Sequence, residues 1–413
     1  MKLLLATSII AALVLTSAPA RAQTADLATA IQNSDIAAIE AAAASSTSES
    51  ALGGGVLKAM RRQDEAALTD LRAAAEDQSL AAALRRDAWM TAAGIYGRQS
   101  RFPEAVAAIE AANAAAPARD EEAARDTEQT LVFTRALVTV PPMQANVAAS
   151  GQTELDYDIA RLPRADVIIN GRTQEAVLDT GANYSTITES TARRLGLRML
   201  PDPITVGASG NDAVAGHLAV ADTLTIAGGQ FRDVVFIVLP DNALSFMGGV
   251  YRIPAIVGFP VLSALGRVEF AGNTLRHSRS GRTWSADSNV LFRDLEVLVS
   301  VTANGNPVQL FMDSGAQSSN LTPLATQQFP TLLQGADTRN VRIGGAGGSR
   351  VHENAAVLPN LAINVGDRTV TIENVDVIGD ASDGHHGTLG QDVLRAGSGY
   401  AIDFDALRLE LLP

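Results

Sequence analysis

Two aspartates of this chain sit in nearly matching surroundings, Ala176-Val177-Leu178-Asp179-Thr180-Gly181-Ala182 and Leu310-Phe311-Met312-Asp313-Ser314-Gly315-Ala316. A single Asp-Thr/Ser-Gly is commonplace, because Asp readily bonds its own backbone in a turn. Two copies, 134 residues apart in the same context, imply a duplication that brings two carboxylates together across a pseudo-twofold axis. Such a pair can act as base and acid at once. The ionised carboxyl takes a proton from water, and the protonated one hydrogen-bonds a carbonyl oxygen. Close like charges cannot both ionise, so one pKa rises and the other falls. The apparent values then belong to the pair. Asp179 and Asp313 are the candidate catalytic residues.

The flanking sequence supplies the elements that would hold them. Asn170-Gly171 and Asn304-Gly305 each place their Gly 8 residues before the acid. Asn-Gly between apolar runs predicts a tight hairpin, since both turn positions need φ > 0. The paired strands are Ala165 to Ile169 with Gln174 to Leu178, and Leu295 to Thr302 with Val308 to Met312. After the acids, Ser185, Ile187 and Thr188 match Ser319, Leu321 and Thr322 at one offset. Thr188 and Thr322 suit helix N-caps, and Pro323 suits a first helical position. A second motif closes each unit, Ala255-Ile256-Val257-Gly258 and Gly387-Thr388-Leu389-Gly390. Terminal strands follow at Val268 to Leu275 and at Ile402 to Leu409. A repeat this long is a duplicated domain rather than a solenoid unit.

These motifs, over about residues 160–412, resemble the retropepsin-like aspartic proteases in a fused, two-lobe form. The resemblance implies peptide hydrolysis by the Asp179–Asp313 dyad and water, without cofactor or metal. It implies that Thr180 and Ser314 bond across to the partner loop, and that Ala182 and Ala316 complete the dyad loops. Gly181 and Gly315 would allow a close approach where a Cβ would collide. It also places flaps at Gly207-Ala208-Ser209-Gly210 and at Gly345-Ala346-Gly347, where glycine suits a mobile lid or an ordinary hairpin turn. Neither flap carries the tyrosine of pepsins. Phe246, Met247, Tyr251, His385 and His386 are the implied cleft residues. The His385-His386 pair, near Asp380 and Asp383, has no recognised metal-ligand spacing.

Residues 1–22 read as a secretory signal, with Lys2, the apolar run Leu3 to Leu15, and Ala20-Arg21-Ala22 as the cleavage site. The formal charge is −13, and loss of Lys2 and Arg21 takes it to −15. That acidity argues against nucleic acid or anionic membrane as partner. The sequence has no cysteine, which excludes disulfides and thiol chemistry. A bacterial periplasmic or secreted location is expected, with no membrane anchor after signal cleavage.

Residues 25–137 are Ala-rich, with helical patterns at Val56 to Glu76, Leu80 to Arg98, Pro103 to Ala116 and Arg119 to Leu137. Trp89, Ala92, Ala93, Tyr96, Ala105, Ile109, Ala112 and Pro117 resemble a tetratricopeptide repeat in spacing, and a generic helical hairpin bundle reads equally well. Fewer than three clear repeats exclude a standard array. The shift in composition predicts a separately folding unit.

The expected architecture is a mainly β protease part of two duplicated retropepsin- or pepsin-like barrel lobes, plus an N-terminal all-α helical-hairpin domain. The expected boundaries are signal 1–22, helical domain 23–140, linker 141–160, lobe 1 at 161–287 and lobe 2 at 288–413. The expected function is a periplasmic aspartic endopeptidase, active as a monomer on peptide or protein substrates, with room for a protein partner at the helical domain. The alternative is an inactive peptide-binding adaptor built on the same fold.

Overall fold

The computed structural model describes residues 26–208, 211–345 and 348–413. The expected signal 1–22 and the flap residues Ser209, Gly210, Ala346 and Gly347 lie outside them. Seven helices come first: α1 (Leu27–Gln32), α2 (Ile36–Ala43), α3 (Ser50–Met60), α4 (Asp64–Glu76), α5 (Ala82–Arg98), α6 (Phe102–Ala115) and α7 (Glu121–Ala136). Aspartates start three of them. The Asp26, Asp35 and Asp120 side chains accept the N–H of Thr29, Ala38 and Ala123, satisfying otherwise orphaned donors. The single helix expected over 56–76 is two. The chain turns at Arg62, which takes φ +55° and ends the run of helical backbone.

The stretch 141–160, expected to be a linker, is woven into the sheets. It carries β1 (Gln144–Asn146), β2 (Ser150–Glu154) and β3 (Asp156–Tyr157). Its strand residues are mostly polar and pair because backbone partners across the fold accept them, while Met143, Val147 and Leu155, which flank the strands, pack into the core.

Lobe 1 contains β4 (Pro163–Ile169), β5 (Arg172–Leu178), β6 (Ser185–Thr188), β7 (Arg198–Ala208), β8 (Asn211–Ile226), β9 (Gly229–Leu239), the short pair β10 (Ser245–Phe246) and β11 (Tyr251–Arg252), and β12 (Ala255–Val257). Helix α8 (Glu189–Leu195) follows β6, with Thr188 at its N-cap position, its hydroxyl donating to the Thr191 hydroxyl at 2.8 Å rather than accepting a helix N–H. Strands β9, β6, β12, β5, β4 and β8 pair in that order, and β8 returns to β9, closing a six-stranded barrel. The Asn170-Gly171 turn has φ of 48° and 76°, as the hairpin demands.

Helix α9 (Phe259–Ala264) leads to β13 (Arg267–Ala271) and β14 (Thr274–Ser278). Lobe 2 repeats the plan with β15 (Val290–Arg293), β16 (Glu296–Ala303), β17 (Asn306–Met312), β18 (Asn320–Leu321), α10 (Pro323–Gln328), β19 (Asp337–Gly345), β20 (Gly348–Val365), β21 (Arg368–Asp376), β22 (Gly387–Leu389), α11 (Gln391–Leu394), β23 (Gly399–Asp403) and β24 (Arg408–Leu412). Its sheet curls round until a single parallel bridge, Leu321 to Val377, joins its two sides.

The lobes share a five-stranded sheet in the order β2-β14-β13-β23-β24. At its centre Val268 pairs with Ile402, its own counterpart 134 residues later. The pseudo-twofold axis therefore passes through that pair. The same offset relates Asp179 to Asp313, so the symmetry that forms the sheet also sets the acids opposite each other.

The helical domain packs on both lobes. Leu291, Leu298 and Phe311 of lobe 2 share an apolar cluster with α1 to α5. Phe102, Leu137 and Val140 share another with Val177, Leu200 and Ile204 of lobe 1. Val177 and Phe311 occupy equivalent positions in the two repeats, so the helices cover matching outer faces. The composition boundary near residue 140 is thus not a boundary of hydrophobic burial.

Candidate active site

Each acid follows the last residue of an interior strand, β5 or β17. The second-motif strand lies parallel beside it, with Val257 opposite Leu178 and Leu389 opposite Met312. The Asp179 N–H donates to Val257 O at 3.0 Å, and the Asp313 N–H to Leu389 O at 3.1 Å. Leu178 and Met312 are fully buried and anchor the loops. Gly258 and Gly390 let the second motif pass close under the acidic loop. A Cβ on Gly258 would lie 2.6 Å from Ala182 O, and one on Gly390 2.7 Å from the Ser318 carbonyl carbon. Their N–H groups donate to the Ser185 and Ser319 hydroxyls at 3.1 and 2.9 Å. The recurrence of Ser185 and Ser319 at one offset was the sequence signal for this bond.

Across the lobes, the Thr180 N–H donates to Ser314 Oγ at 2.9 Å and the Ser314 N–H to Thr180 Oγ1 at 3.1 Å. Each hydroxyl then donates onward, Thr180 to Met312 O at 3.0 Å and Ser314 to Leu178 O at 2.8 Å. Both side chains are fully buried. Gly181 and Gly315 lie against the opposite acid. A Cβ on Gly181 would be 2.6 Å from Asp313 Cγ, and one on Gly315 would collide with the Asp179 carboxyl. Their N–H groups donate to Asp179 Oδ1 and Asp313 Oδ1, each at 2.8 Å.

The two carboxyls hydrogen-bond each other and remain partly accessible. Burial, then the negative charge of Asp179, pushes Asp313 well above the usual carboxyl range. Burial also raises Asp179, against hydrogen bonds from Asp313 and from the Gly181, Gly315 and Ala182 amides. The larger upward push falls on Asp313, because the charge of Asp179 adds to burial there.

The described flap candidates Gly207, Ala208 and Gly345 lie at or near the ends of paired strands. Ala208 pairs with Asn211 at the end of β7–β8, and Gly345 with Gly348 at the end of β19–β20. Gly207 has open space where a Cβ would stand. Strands β8 and β20 touch across the lobes. Phe246 and Tyr251 lie 5.8 Å apart in the apolar cluster that also takes in Ala182, Tyr184, Val206 and Val214. The Tyr251 hydroxyl donates to Asp158 Oδ2 at 2.6 Å, and its pKa is pushed up to about 12, chiefly by burial. Met247 is 71 % exposed.

The histidines are placed differently. His386 is buried, with Nδ1 accepting the Gln309 N–H at 3.0 Å and Nε2 bonded to Gln328 Oε1 at 2.9 Å. His385 stacks on Phe311, which packs against the helical domain, and burial takes its pKa down to about 3. Both are held by interior contacts on the helical side of lobe 2, because Phe311 points outward from its strand toward the helices. Sequence reasoning missed Tyr184, five residues after Asp179, which meets Phe133 of α7 at 5.0 Å. It also missed Gln391, whose Nε2 donates to Ser314 O at 2.8 Å.

The fold is that of a two-lobed aspartic protease with a helical domain at its N-terminus. The family model described as Aspartyl protease matches the chain twice, at residues 165–260 and 299–393, once in each lobe and spanning one acid each time. Among solved structures, the chain is similar to a retropepsin-like aspartic protease from Rickettsia conorii. That similarity has 12% identity and a TM-score of 0.23, and it covers 34% of this chain and 96% of that one. No curated protein matches. The family-model match and the fold support a peptidase.

Proposed function

We propose that this protein is an exported aspartic endopeptidase, acting on peptide or protein substrates in the periplasm or outside the cell. The observation that carries the reading is the face-to-face pair Asp179 and Asp313, locked by the Thr180–Ser314 exchange yet open enough to meet water. A water held between the carboxyls attacks the scissile carbonyl carbon. Its proton passes to ionised Asp179, while Asp313 gives its own proton to the carbonyl oxygen, forming a neutral gem-diol. Collapse of the gem-diol breaks the C–N bond. One hydroxyl proton returns to Asp313, and Asp179 delivers its proton to the leaving nitrogen, restoring the starting state.

The helical domain, with its tetratricopeptide-like α5–α6 pair, is then the surface for recruiting a protein partner. The test is purified mature chain on an unfolded protein, with Asp179→Asn beside it. Cleavage that disappears in the variant supports the peptidase. Binding of peptide without cleavage by the wild type would favour the adaptor instead.

A further inference from the structure

The two lobes are not equivalent beneath the dyad. The residue after the second-motif glycine is Phe259 in lobe 1 and Gln391 in lobe 2. Phe259 is an apolar packing group, edge-on to Phe292 at 5.2 Å. Gln391 is 2 % exposed, and its Nε2 donates to Ser314 O at 2.8 Å. That carbonyl and the Gly315 N–H belong to one peptide group, and the N–H donates to Asp313 Oδ1 at 2.8 Å. A donor on a peptide oxygen draws charge toward it and makes the N–H of the same group a stronger donor.

The other end of Gln391 is unfinished. Its Oε1 has no partner, and neither has the hydroxyl of fully buried Tyr400. Stacking on Phe270, with centroids 4.6 Å apart, keeps the Tyr400 ring from turning out to solvent. Burial, the dominant influence, pushes the Tyr400 hydroxyl well up and keeps it a protonated donor, with Gln391 and Ser314 among the side chains that face it. A buried donor and a buried acceptor left unpaired are costly, and pairing them removes both costs. At the position equivalent to Tyr400, lobe 1 has Gly266 and no polar group.

We propose that Tyr400 and Gln391 form a one-sided relay that tempers Asp313. Tyr400 O–H donates to Gln391 Oε1, Gln391 N–H to Ser314 O, and the polarised Gly315 N–H to the Asp313 carboxyl. The relay rests on the dyad reading and adds to it. It holds the Asp313 proton loosely enough to be handed to the substrate, although burial and Asp179 tighten it. Gln391 and Tyr400 are positioning residues and touch no substrate. The other ionisable groups facing them are Asp179 above and Tyr157 beside Tyr400, with Arg395 stacked 3.5 Å over Tyr157. Asp392, next in the chain, is turned to the Ser319 N–H and hydroxyl.

The test compares Gln391→Met, Tyr400→Phe, the double variant and Phe259→Met in the full mature chain. Loss of the relay removes stabilisation of ionised Asp313, so the alkaline limb of kcat/KM is expected to move up by about 0.3 pH unit in Gln391→Met. Tyr400→Phe should move it the same way by less, and the double variant no further than Gln391→Met. Phe259→Met should lower Tm and leave the limb in place. An unmoved or downward limb in Gln391→Met overturns the relay, as does an added shift in the double variant. If Gln391→Met does not fold, an upward shift in Tyr400→Phe supports the relay and its absence overturns it. Carbon-13 NMR of aspartate-labelled protein titrates the carboxyls without turnover. A wild type that cuts no peptide therefore tells against the peptidase reading, while the Asp313 titration still decides the relay.

Discussion

Thr180 and Ser314 each accept the other's backbone N–H, at 3.1 and 2.9 Å, from opposite lobes and with no exposure to solvent. Neither loop can shift without stranding a buried donor. Thr180→Val keeps the shape and removes the acceptor. It is expected to cost about 1–3 kcal/mol of stability, the usual penalty for an orphaned buried N–H. Turnover should fall with it, because the acids lose their register. Thr180→Ser should retain both properties. Urea unfolding and peptide turnover on the three proteins check this.

Asp179→Asn and Asp313→Asn should each remove nearly all hydrolysis, about 1000-fold or more, and the double variant should lose little beyond either, since the acids act as a unit. Initial rates on one soluble peptide suffice. Wild-type turnover by Asp313→Asn would break the shared-dyad scheme.

Stability should depend on pH through Asp313. Its pKa is raised in the folded protein, so the folded state binds the proton more tightly than the unfolded chain. Stability is then fully present below the ordinary carboxyl value and declines as pH rises toward the folded value. Asp313→Asn cannot ionise, so its Tm should gain on the wild type as pH rises above about 4. A Tm difference that stays constant from pH 3 to pH 8 would contradict the assignment.

Both acids are pushed up by burial, so the active, singly protonated state should lie nearer neutral pH than in pepsins. Ala182 offers Asp179 only its backbone N–H. Ala182→Ser adds a hydroxyl donor and is expected to move the acid limb of kcat/KM to lower pH. A wild-type maximum at pH 2–3 with loss by pH 5, or an upward shift in Ala182→Ser, would sink this expectation.

Phe133 of α7 meets Tyr184 at 5.0 Å, and Tyr184 follows the Asp179 loop. If the helices shape the cleft, Phe133→Ala should raise KM by about 3- to 10-fold, the worth of one aromatic pair, with kcat little changed. Removing residues 23–140 altogether is expected to give insoluble protein, because it uncovers the apolar faces around Val177 and Phe311. Steady-state kinetics and the soluble yield of the truncated chain test the two parts.

The acids, their hairpins and the repeat were legible in the sequence because they depend on local chemistry. Asn170-Gly171 and Asn304-Gly305 carry the turn in their own φ preferences. Asp179 and Asp313 are tied by a 134-residue offset that their hairpins and the Ser185/Ser319 segments share. The rest needed partners far away in the chain. Polar β2 became a strand because β14 accepts its backbone, with Thr153 opposite Leu275. His385 and His386 turned inward because Phe311 and Gln309 were there to hold them. Gln391 was indistinguishable from a surface glutamine until the fold buried it on Ser314 O, 77 residues away in sequence. Spacing records which residues are equivalent, whereas burial and hydrogen-bond partners exist only once the chain has closed on itself.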